Sequence, residues 1–566
     1  MFKQLQCLIL QLHGEIYVCL TLVKEVKGKG IMSKLNSKRP SREQKAREKA
    51  HLNFMGGTSF DINDPFLRLR IVAASSFFGE PKYYSDQCSS FKKVSGGRVD
   101  PINETMFKHL SEYLGEVSPY SWRTMSSRSI VEKCIDECLD VDVEKTLKLA
   151  VKLRNEDFMR ATPQVILVRA ACHKNSKGTS LIRKYASEIC KRGDEPAAGL
   201  AYFFDAYGRG KIPNSLKRAW KDILESFNDY TISKYKMENN TVKTVDVCSL
   251  VHAFSKSIDK LFKGKAKQTK TWNAIMSNAD NSTKEKKEKN WEKALEGMPH
   301  MALLRNLRNL AENNVDIKLY YDKLIGGVLE GKQLPFRYLS AYNQLAGHSD
   351  VQDLIEECLE ASIENVPHFS GKTICLSDNS GSACGAITSE YGTMSVAQIG
   401  NLMSVITAKA SDDGYVGIFG DKLDVIPIRK RSSIFDDVEK CKTSGSKIGG
   451  ATENGIWLFF DKAIKEKQHW DNIFVYSDMQ AGHGGLYGRN REDYKDYIIN
   501  RNYIDVAKLI KEYRNKVNPN VMVYLVQTAG YQDTLVPEFY DKTFIIGGWS
   551  TGILDFAKEM EDIFKK

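Results

Sequence analysis

From about residue 369 to its end, the chain alternates short apolar runs with amphipathic helices, and this alternation constrains the fold more than any other feature. The apolar runs are typical of strands: KTICLS, GYVGIFG, DNIFVYS, NVMVYLVQ and KTFIIGG. The segments between and after them are typical of helices: SVAQIGNLMSVITAKA, NGIWLFFDKAIKEK, YIDVAKLIKEYRNKV and GILDFAKEMEDIF. Alternation of this kind gives a mostly parallel sheet covered on both faces. We therefore predict an α/β domain over residues 369–566, with its site at the carboxyl ends of the strands.

The chain before residue 369 has a helical pattern instead. In the stretch MPHMALLRNLRNLAENN, Pro299 precedes leucines that recur every three or four residues, while Arg305 and Arg308 fall outside that apolar face. No run of strands interrupts the pattern, and Pro, Gly and Asn join short helices. We predict stacked HEAT-like helix pairs over residues 51–368, with an irregular helical domain as the alternative. The predicted fold class is thus α + α/β.

Charge and cysteine content narrow the class of protein. The chain carries 82 Lys and Arg against 71 Asp and Glu, which gives a net charge of +11 and a pI of about 8.8. Such an excess indicates a polyanionic partner such as RNA, DNA or a membrane surface, or simply a basic soluble protein. The twelve cysteines include no CxxC pair, and no Cys and His residues cluster at zinc-finger spacing. This usage is typical of a reduced, cytoplasmic protein.

The first fifty residues read as a tail, which we expect to be disordered. An apolar stretch within residues 1–31 is interrupted by His13 and Glu15, and it is too short and too polar for a membrane-spanning helix. The sequence from Met32 onward is typical of an ordinary basic protein start. We interpret residues 1–31 as an upstream extension, and a targeting segment is the less favoured alternative.

Polar residues follow the first predicted strand in a pattern typical of a metal site. Asp378, Ser380 and Ser382 place one carboxylate and two hydroxyls on a single tight loop. Thr452 precedes a later helix and Asp478 follows a later strand, so both can converge on that loop. Five oxygen donors without nitrogen or sulfur favour Mg²⁺, with Mn²⁺ as the second choice. The alternative is that this DxSxS sequence only caps a helix or closes a turn.

Two catalytic motifs are excluded. The sequence SGKT resembles the end of a phosphate-binding loop, but Val366 stands where that loop requires glycine, and the segment precedes its strand. A nucleophile elbow needs a serine between two glycines at two-residue spacing, whereas Gly381 and Gly385 are four apart with Ala383 between them. No Ser-His-Asp order is apparent either. We predict that the chain is not an enzyme.

Two sets of motifs resemble known families. DxSxS, then GGxT, then SD at a strand end resemble the metal-ion-dependent adhesion site of a von Willebrand factor A (vWA) domain. Upstream, EGMPHMALLRNLRNL, FLRLRIVAASSFFGEPKYYSD and IPNSLKRAW resemble the TROVE domain of the Ro autoantigen family. A helical domain followed directly by a C-terminal vWA domain is that family's arrangement, and the resemblance covers about residues 51–566. It implies that the helical repeats close into a ring, which a Rossmann-like vWA domain seals.

The resemblance also implies a function and roles for the metal residues. Ro-family members bind small structured non-coding RNAs, called Y RNAs, on the outer face of the ring and the free 3′ ends of misfolded RNAs in its hole. Bacterial members work with exoribonucleases in RNA processing and decay. Ser380, Ser382 and Thr452 match the direct metal ligands of vWA sites, and Asp378 and Asp478 match acids that hold the ion through water. The implied molecule is a cytoplasmic, monomeric ribonucleoprotein ring without a membrane segment.

The family's RNA-contacting segment matches this chain at Lys234 and His252. Lysines bind phosphates, and the ring of Tyr235 between Lys234 and Lys236 is a candidate for stacking on a base. A basic residue that the family carries next aligns near Glu238, a departure that weakens the implied Y RNA contact. The alternative is a solvated basic helix with an ordinary core histidine.

Further basic residues extend the candidate RNA surface. Arg305 and Arg308 are candidates for the inner rim of the ring. The lysine-rich segment after residue 262 is predicted to be exposed, and it either strengthens the field that RNA meets or forms a solvated face. Its candidate residues are Lys263, Lys265, Lys267 and Lys270.

The sequence supports three hypotheses of different classes. The first is a non-catalytic RNA-binding ring that acts in the quality control and processing of non-coding RNA. The second is a metal-dependent protein-adhesion scaffold, whose metal site captures an acidic residue of a partner. The least favoured is a metal-dependent nuclease, which would need more carboxylates at the ion. Chelation separates the first two, because it should abolish adhesion through the ion and spare RNA binding.

Overall fold

Helices occupy the described chain up to residue 363, and a mostly parallel sheet with its own helices follows. The structure is a computed structural model. It describes residues 51–52, 58–59, 62, 64–75, 127–238, 240–266, 271–331, 333, 335–363, 366–385, 394–449, 455–477, 479, 498–499, 503–504, 506–528, 542–547 and 552–564. The predicted tail over residues 1–50 lies outside these ranges.

Sixteen α-helices lie in the described residues before the sheet, together with two 3₁₀ turns and a two-stranded pair. The helices are α1 Pro65–Ser75, α2 Ser127–Val141, α3 Val143–Asn155, α4 Ala161–Cys172, α5 Leu181–Ile189, α6 Glu195–Tyr207, α7 Asn214–Ser226, α8 Asp229–Lys234, α9 Thr244–Val251, α10 Lys256–Phe262, α11 Trp272–Asn278, α12 Lys284–Glu296, α13 His300–Glu312, α14 Tyr321–Gly331, α15 Pro335–Asn343 and α16 Ser349–Ile363. The 3₁₀ turns are Lys174–Ser176 and Ile317–Leu319, and the paired strands are β1 His51–Leu52 and β2 Thr58–Ser59.

Helix α3 illustrates why these segments are helical. Asp142 caps its first turn by accepting a hydrogen bond from the Lys145 amide at 3.0 Å. Lys152 and Arg154 lie in its last turn, where positive charge stabilises the helix dipole. The residues that it buries recur at helical spacing: Val143, Thr146, Leu147, Ala150 and Leu153. One apolar face therefore drives its packing.

The predicted leucine face is confirmed in α13. Pro299 occupies the N-cap position of this helix, and Arg305 and Arg308 are exposed. The buried residues are Leu303, Leu304, Leu307 and Leu310. The helical period read from the sequence therefore holds at this segment.

The helices stack in two rows, as in a solenoid. Along one row α3 contacts α5, α5 contacts α7, and α7 contacts α9, while α4 contacts α6 on the other side. The same pattern of next-but-one contacts recurs between α13 and α15 and between α14 and α16. Each helix pair thus buries its apolar face against its neighbours, which is the packing of a helical-repeat region. This confirms the helical half of the predicted fold class.

A six-stranded sheet forms the second half of the fold. Its order is β10-β9-β6-β3-β4-β5, and every neighbouring pair is parallel except β4 with β5. The strands are β3 Phe369–Asp378, β4 Ser411–Phe419, β5 Leu423–Ile428, β6 Asn472–Ser477, β9 Met522–Gln527 and β10 Thr543–Gly547. A separate short pair consists of β7 Ile498–Ile499 and β8 Tyr503–Ile504. The mostly parallel, Rossmann-like sheet confirms the other half of the predicted class.

Side chains alternate between the two covered faces of the sheet. On β3, Ile374 and Leu376 join one buried cluster, while Cys375 joins the other. The second of these clusters runs from Trp291 in the helical region to Met560, so the last helices of that region share a core with the sheet. The helices of this half are α17 Gly381–Gly385, α18 Val396–Lys409, α19 Ile434–Gly445, α20 Gly455–Lys465, α21 Val506–Lys516 and α22 Gly552–Phe564.

Two described ends of the helical region meet the sheet domain. At the C-terminal end, α15 contacts α18 and α16 contacts α19, with the rings of Tyr342 and Phe435 4.0 Å apart at their centroids. At the other end, α1 contacts the edge strand β10, and Glu559 lies close enough to Lys152 for their charges to interact. The chain path therefore returns on itself through the sheet domain.

In the portion that the structure describes, no helix combines the length and the apolar character needed to cross a bilayer.

The nine cysteines in the described residues are unpaired, and seven of them are buried. Burial raises the pKa of Cys134 to about 12 and that of Cys172 to about 11, so these thiols stay protonated at neutral pH.

Candidate nucleic-acid and metal sites

Asp378 is held in place at the carboxyl end of the central strand β3. Its side chain is buried, with 2% of the residue exposed, and its Oδ1 accepts a hydrogen bond from the Ser380 amide at 2.9 Å. Its Oδ2 accepts a hydrogen bond from the Ser477 hydroxyl at 2.7 Å, and Ser477 ends the neighbouring strand β6. Parallel register brings these two strand ends to one edge of the sheet. The carboxylate is therefore oriented by two strands before any ligand is added.

An asparagine pair fixes the loop that follows Asp378. Asn379 Nδ2 donates to Asn401 Oδ1 at 2.8 Å, and Asn401 Nδ2 returns a hydrogen bond to Asn379 Oδ1 at 3.0 Å. Gly445 lies against this pair, since a Cβ there would be 2.5 Å from Asn379 Oδ1. The Ser377 hydroxyl also donates to Asn401 at 2.7 Å. Both asparagines are buried, and the satisfied network holds the loop in one conformation.

The structure describes part of the predicted metal set. Asp378 and Ser380 lie together at the strand end, and Ser380 is fully buried. Ser382 lies in α17, and its side chain is outside the described set. Thr452 and Asp478 lie outside the described residues, although Asp478 directly follows Ser477 in the chain. The structure thus brings two of the five predicted residues together and leaves the other three as predictions.

The donors that are described fit a hard cation. They are carboxylate and hydroxyl oxygens, without nitrogen or sulfur, which suits Mg²⁺ or Mn²⁺. The Thr528 hydroxyl is buried at the carboxyl end of β9 and has no hydrogen-bond partner among the described residues. The Thr528 amide donates to the Ser477 carbonyl at 3.1 Å. Among the described residues, no group of three or more His, Cys, Asp or Glu side chains could hold a metal, so the hydroxyls are essential to the prediction. Sequence reasoning missed Ser477 and Thr528, although both directly follow or end predicted strands.

The first predicted RNA residue, Lys234, lies in a cluster of cations and aromatic rings. It ends helix α8, and its exposed ammonium lies 5.3 Å from the ring centroid of Tyr230 and 5.5 Å from that of Tyr235. Its Nζ also donates to the Tyr230 hydroxyl at 3.2 Å. Partial desolvation is outweighed by these contacts, so the pKa of Lys234 is raised and its charge persists at neutral pH. Arg192 lies 4.7 Å from the Tyr235 ring centroid on the same surface.

The neighbouring predicted residues have different surroundings. Tyr235 is half-buried, and its ring already contacts the two cations just named. Lys236 forms an ion pair with Glu238 at 3.4 Å, so the acid that departs from the family pattern offsets this lysine. His252 is exposed at the end of α9 in the left-handed conformation, with φ of 54°. The alternative of a core histidine is therefore wrong, while an RNA role for these residues stays a prediction.

The predicted inner-rim arginines lie on α13, beside α15. His300 Nε2 contacts the Tyr338 hydroxyl at 3.0 Å and Arg308 Nη1 contacts Gln344 Oε1 at 3.4 Å, so the two helices run side by side. Arg308 also pairs with Glu312 at 3.5 Å. Arg305 instead faces another cation, Arg337 of α15, a residue that sequence reasoning missed. Both are exposed, and neither has an ion-pair partner among the described residues.

Arg337 lies in surroundings that disfavour its positive charge. Desolvation, and then the charge of Arg305, lower the pKa of Arg337. In the lysine-rich segment beyond residue 262, Lys263 pairs with Asp259 at 2.7 Å and Lys265 is exposed. Lys267 and Lys270 lie outside the described residues.

Comparison with known proteins bears on the fold. No protein-family model matches the chain, and no curated protein matches it in sequence. Among solved structures, the crystal structure of the Ro (RSR) protein of Deinococcus radiodurans matches with a TM-score of 0.54 and 13% sequence identity. The match covers 88% of this chain and 100% of that protein. This chain therefore has the fold of a Ro protein, and the resemblance indicated by its motifs is confirmed at that level.

Proposed function

We propose that this chain is an RNA-binding protein of the Ro kind, with its outer contact centred on Lys234. The observation that carries the proposal is the exposed Lys234 ammonium beside the rings of Tyr230 and Tyr235, with no ion-pair partner among the described residues. A lysine of this kind binds phosphate, and nearby aromatic rings provide surfaces for bases. The fold shared with a Ro protein and the net charge of +11 support the same function.

In this proposal, two kinds of RNA segment bind two different surfaces of the protein. Small structured non-coding RNA, similar to Y RNA, binds the outer face around Lys234 and His252. Single-stranded 3′ ends of misfolded RNA enter the hole of the ring, where Arg305 and Arg308 meet phosphates. The return of the chain path through the sheet domain supports a closed ring. The protein would then act as a non-catalytic monomer in cytoplasmic RNA quality control, alongside an exoribonuclease.

We also propose that a metal ion binds at the carboxyl-end edge of the sheet. Ser380, Ser382 and Thr452 would hold Mg²⁺ or Mn²⁺ directly, and Asp378 and Asp478 would hold it through water. The fixed Asp378 carboxylate and the buried Thr528 hydroxyl support this assignment. Such an ion keeps an open coordination position, which an acidic ligand can occupy.

A binding assay with the full-length protein tests the function. We expect a labelled stem with a single-stranded 3′ tail to bind more tightly than a blunt duplex of the same length. Because phosphate contacts release counterions, affinity should fall steeply between 50 and 200 mM salt, by roughly a hundredfold or more for several contacts. Equal affinity for the two RNAs would contradict binding of 3′ ends in the hole, and absence of binding would overturn the function.

A charge-matched pair of variants makes the test specific. The double substitution Lys234→Ala and Lys236→Ala should lower affinity and reduce the salt dependence by roughly one to two counterions. The control removes two exposed lysines from the sheet domain, Lys442 and Lys462, and should leave both quantities near the wild-type values. Equal losses in the two variants would show non-specific charge attraction instead of a site.

The second candidate function is metal-dependent adhesion to an acidic residue of a protein partner. The pre-oriented Asp378 carboxylate favours this function. The hydrogen bonds that orient it come from Ser380 and Ser477, and both residues lie in the sheet domain. Chelation with EDTA separates the two functions. It should abolish adhesion through the ion, whereas RNA binding to the helical surface should persist.

A further inference from the structure

Phe254 is the most exposed of the large hydrophobic residues in the described part of the chain, with 74% of its surface accessible. It follows the predicted RNA residue His252 by two positions, in the turn between α9 and α10. Two more exposed aromatic residues lie nearby in the sequence, Tyr230 at 54% and Phe262 at 51%. An ion pair between Asp229 and Lys260 joins their two helices, α8 and α10. The helices that carry Tyr230 and Phe262 are therefore in contact, and Phe254 lies two residues before α10.

The turn presents Phe254 rigidly. His252 ends α9 in the left-handed conformation, and the amide of buried Ala253 donates back to the Cys248 carbonyl at 2.9 Å. The Phe254 amide donates to Glu225 Oε1 at 2.8 Å, which ties the turn to α7. Ser255 then caps α10 by accepting from the Ile258 amide at 3.2 Å. The backbone is fixed on both sides of an aromatic ring that is exposed to solvent, so covering the ring orders only its own side-chain torsions.

The ring itself is uncovered, unlike that of Tyr235. Tyr235 contacts Arg192 and Lys234, whereas among the described residues no cation or aromatic ring lies against Phe254. An exposed phenyl ring in water gains from any flat partner that covers its face.

The charged residues around the Phe254 ring indicate which kind of partner could cover it. Residues 225–265 contain seven lysines against five acidic residues. The nearest acids already have partners: Glu225 accepts from the Phe254 amide, and Asp259 pairs with Lys263. Lys256, two residues from the ring, is exposed and has no acidic partner among the described residues. An aromatic ring beside an exposed, unpaired lysine such as Lys256 is an arrangement that binds single-stranded nucleic acid.

We propose that Phe254 is a base-stacking residue, which receives an unpaired nucleobase of the bound RNA while Lys256 and His252 contact the adjoining phosphates. The inference rests on the proposed RNA-binding function and adds to it a site for a single-stranded element, such as a loop or a bulge. A fully paired duplex offers no splayed base and cannot use the site.

The experiment compares Phe254→Ala and Phe254→Trp in the full-length protein. The probes are a labelled stem-loop with an unpaired loop and the same sequence fully paired. Phe254→Ala should weaken stem-loop binding about 5- to 100-fold with an unchanged salt slope, because one stack is lost and no charge is removed. Phe254→Trp should keep the affinity, and its added indole fluorescence should be quenched by the stem-loop and much less by the duplex. Phe158→Ala, which removes another exposed ring at 46%, is the matched control and should bind like the wild type.

Two outcomes separate this inference from the function beneath it. If Phe254→Ala binds the stem-loop as tightly as Phe158→Ala, while the loss of Lys234 and Lys236 still weakens binding, stacking at Phe254 is wrong and RNA binding stands. If the wild-type protein binds neither RNA, both the function and the inference fail. Because Phe254 is exposed, its variants should fold, and an unchanged melting temperature for Phe254→Trp verifies that the comparison is valid.

Discussion

The Ser477 hydroxyl donates a hydrogen bond to Asp378 Oδ2 at 2.7 Å and accepts one from the Met479 amide at 3.1 Å. This buried contact joins the carboxyl ends of β3 and β6, and Met479, two residues after Ser477, adopts the left-handed conformation. One serine therefore couples the two strand ends at which the metal site is predicted.

Removal of this hydroxyl should cost stability. Ser477→Ala leaves a buried carboxylate oxygen and a backbone amide without their partner, so the free energy of unfolding should fall by about 1–3 kcal/mol. Ser404→Ala is the matched control, because the buried Ser404 hydroxyl has no hydrogen-bond partner in the described part of the chain and its loss should cost less. Urea denaturation of both variants measures the difference. Equal stability losses would show that the Ser477 contact contributes nothing of its own.

The fold class could be predicted from the sequence because the helical and the α/β parts each have their own hydrophobic period. Strand β5 was not predicted: its LDVIPI sequence contains Pro427, lies at a partly exposed sheet edge and lacks a clear alternation. Helix α19 was also not predicted, although Ile434, Phe435, Val438 and Cys441 give it a buried face.

Prediction of single site residues from the sequence was incomplete in the same way. Asp378 and Ser380 could be found because a polar motif follows a strand within one stretch of sequence. Ser477 and Arg337 depend on which strand or helix lies alongside, and strand register and helix pairing are tertiary properties. Phe254 was missed for a related reason, since apolar residues are expected inside and only the fold shows one outside.

Charge reversal at Glu238 should strengthen RNA binding. Glu238 is 3.4 Å from Lys236 and offsets the charge of that lysine. Glu238→Lys frees Lys236 and adds a second cation, so affinity should rise several-fold at low salt and the salt dependence should steepen. Glu439→Lys, at an exposed acid that pairs with Lys442 in the sheet domain, makes the same change in net charge. A comparable gain from both variants would argue against a specific role for this surface.

Stability should depend on the protonation of His300. Burial lowers the pKa of this imidazole, and the backbone of Leu324 opposes the shift only in part, so the folded protein favours the neutral ring. Above a pH of about 6.5 neither state binds the proton, and the residue adds no pH dependence. Below that pH the unfolded chain takes up a proton that the folded chain resists, so stability falls as the pH is lowered. Urea midpoints at pH 7.5 and 5.5 should differ less for His300→Gln than for the wild type, and identical differences would contradict the assignment.

Two adjacent glycines in α14 should respond in opposite ways to alanine, because only one of them faces that histidine. A Cβ at Gly327 would lie 2.6 Å from His300 Nδ1, whereas a Cβ at Gly326 would meet no atom within 4 Å. Gly327→Ala forces α13 and α14 apart and should lower the free energy of unfolding by about 1–3 kcal/mol. Gly326→Ala removes backbone entropy from the unfolded helix at no steric cost and should raise it by about 0.5–1 kcal/mol. Combining Gly327→Ala with His300→Ala should recover part of the loss, and a simple sum of the two penalties would show that the histidine ring is not the obstacle.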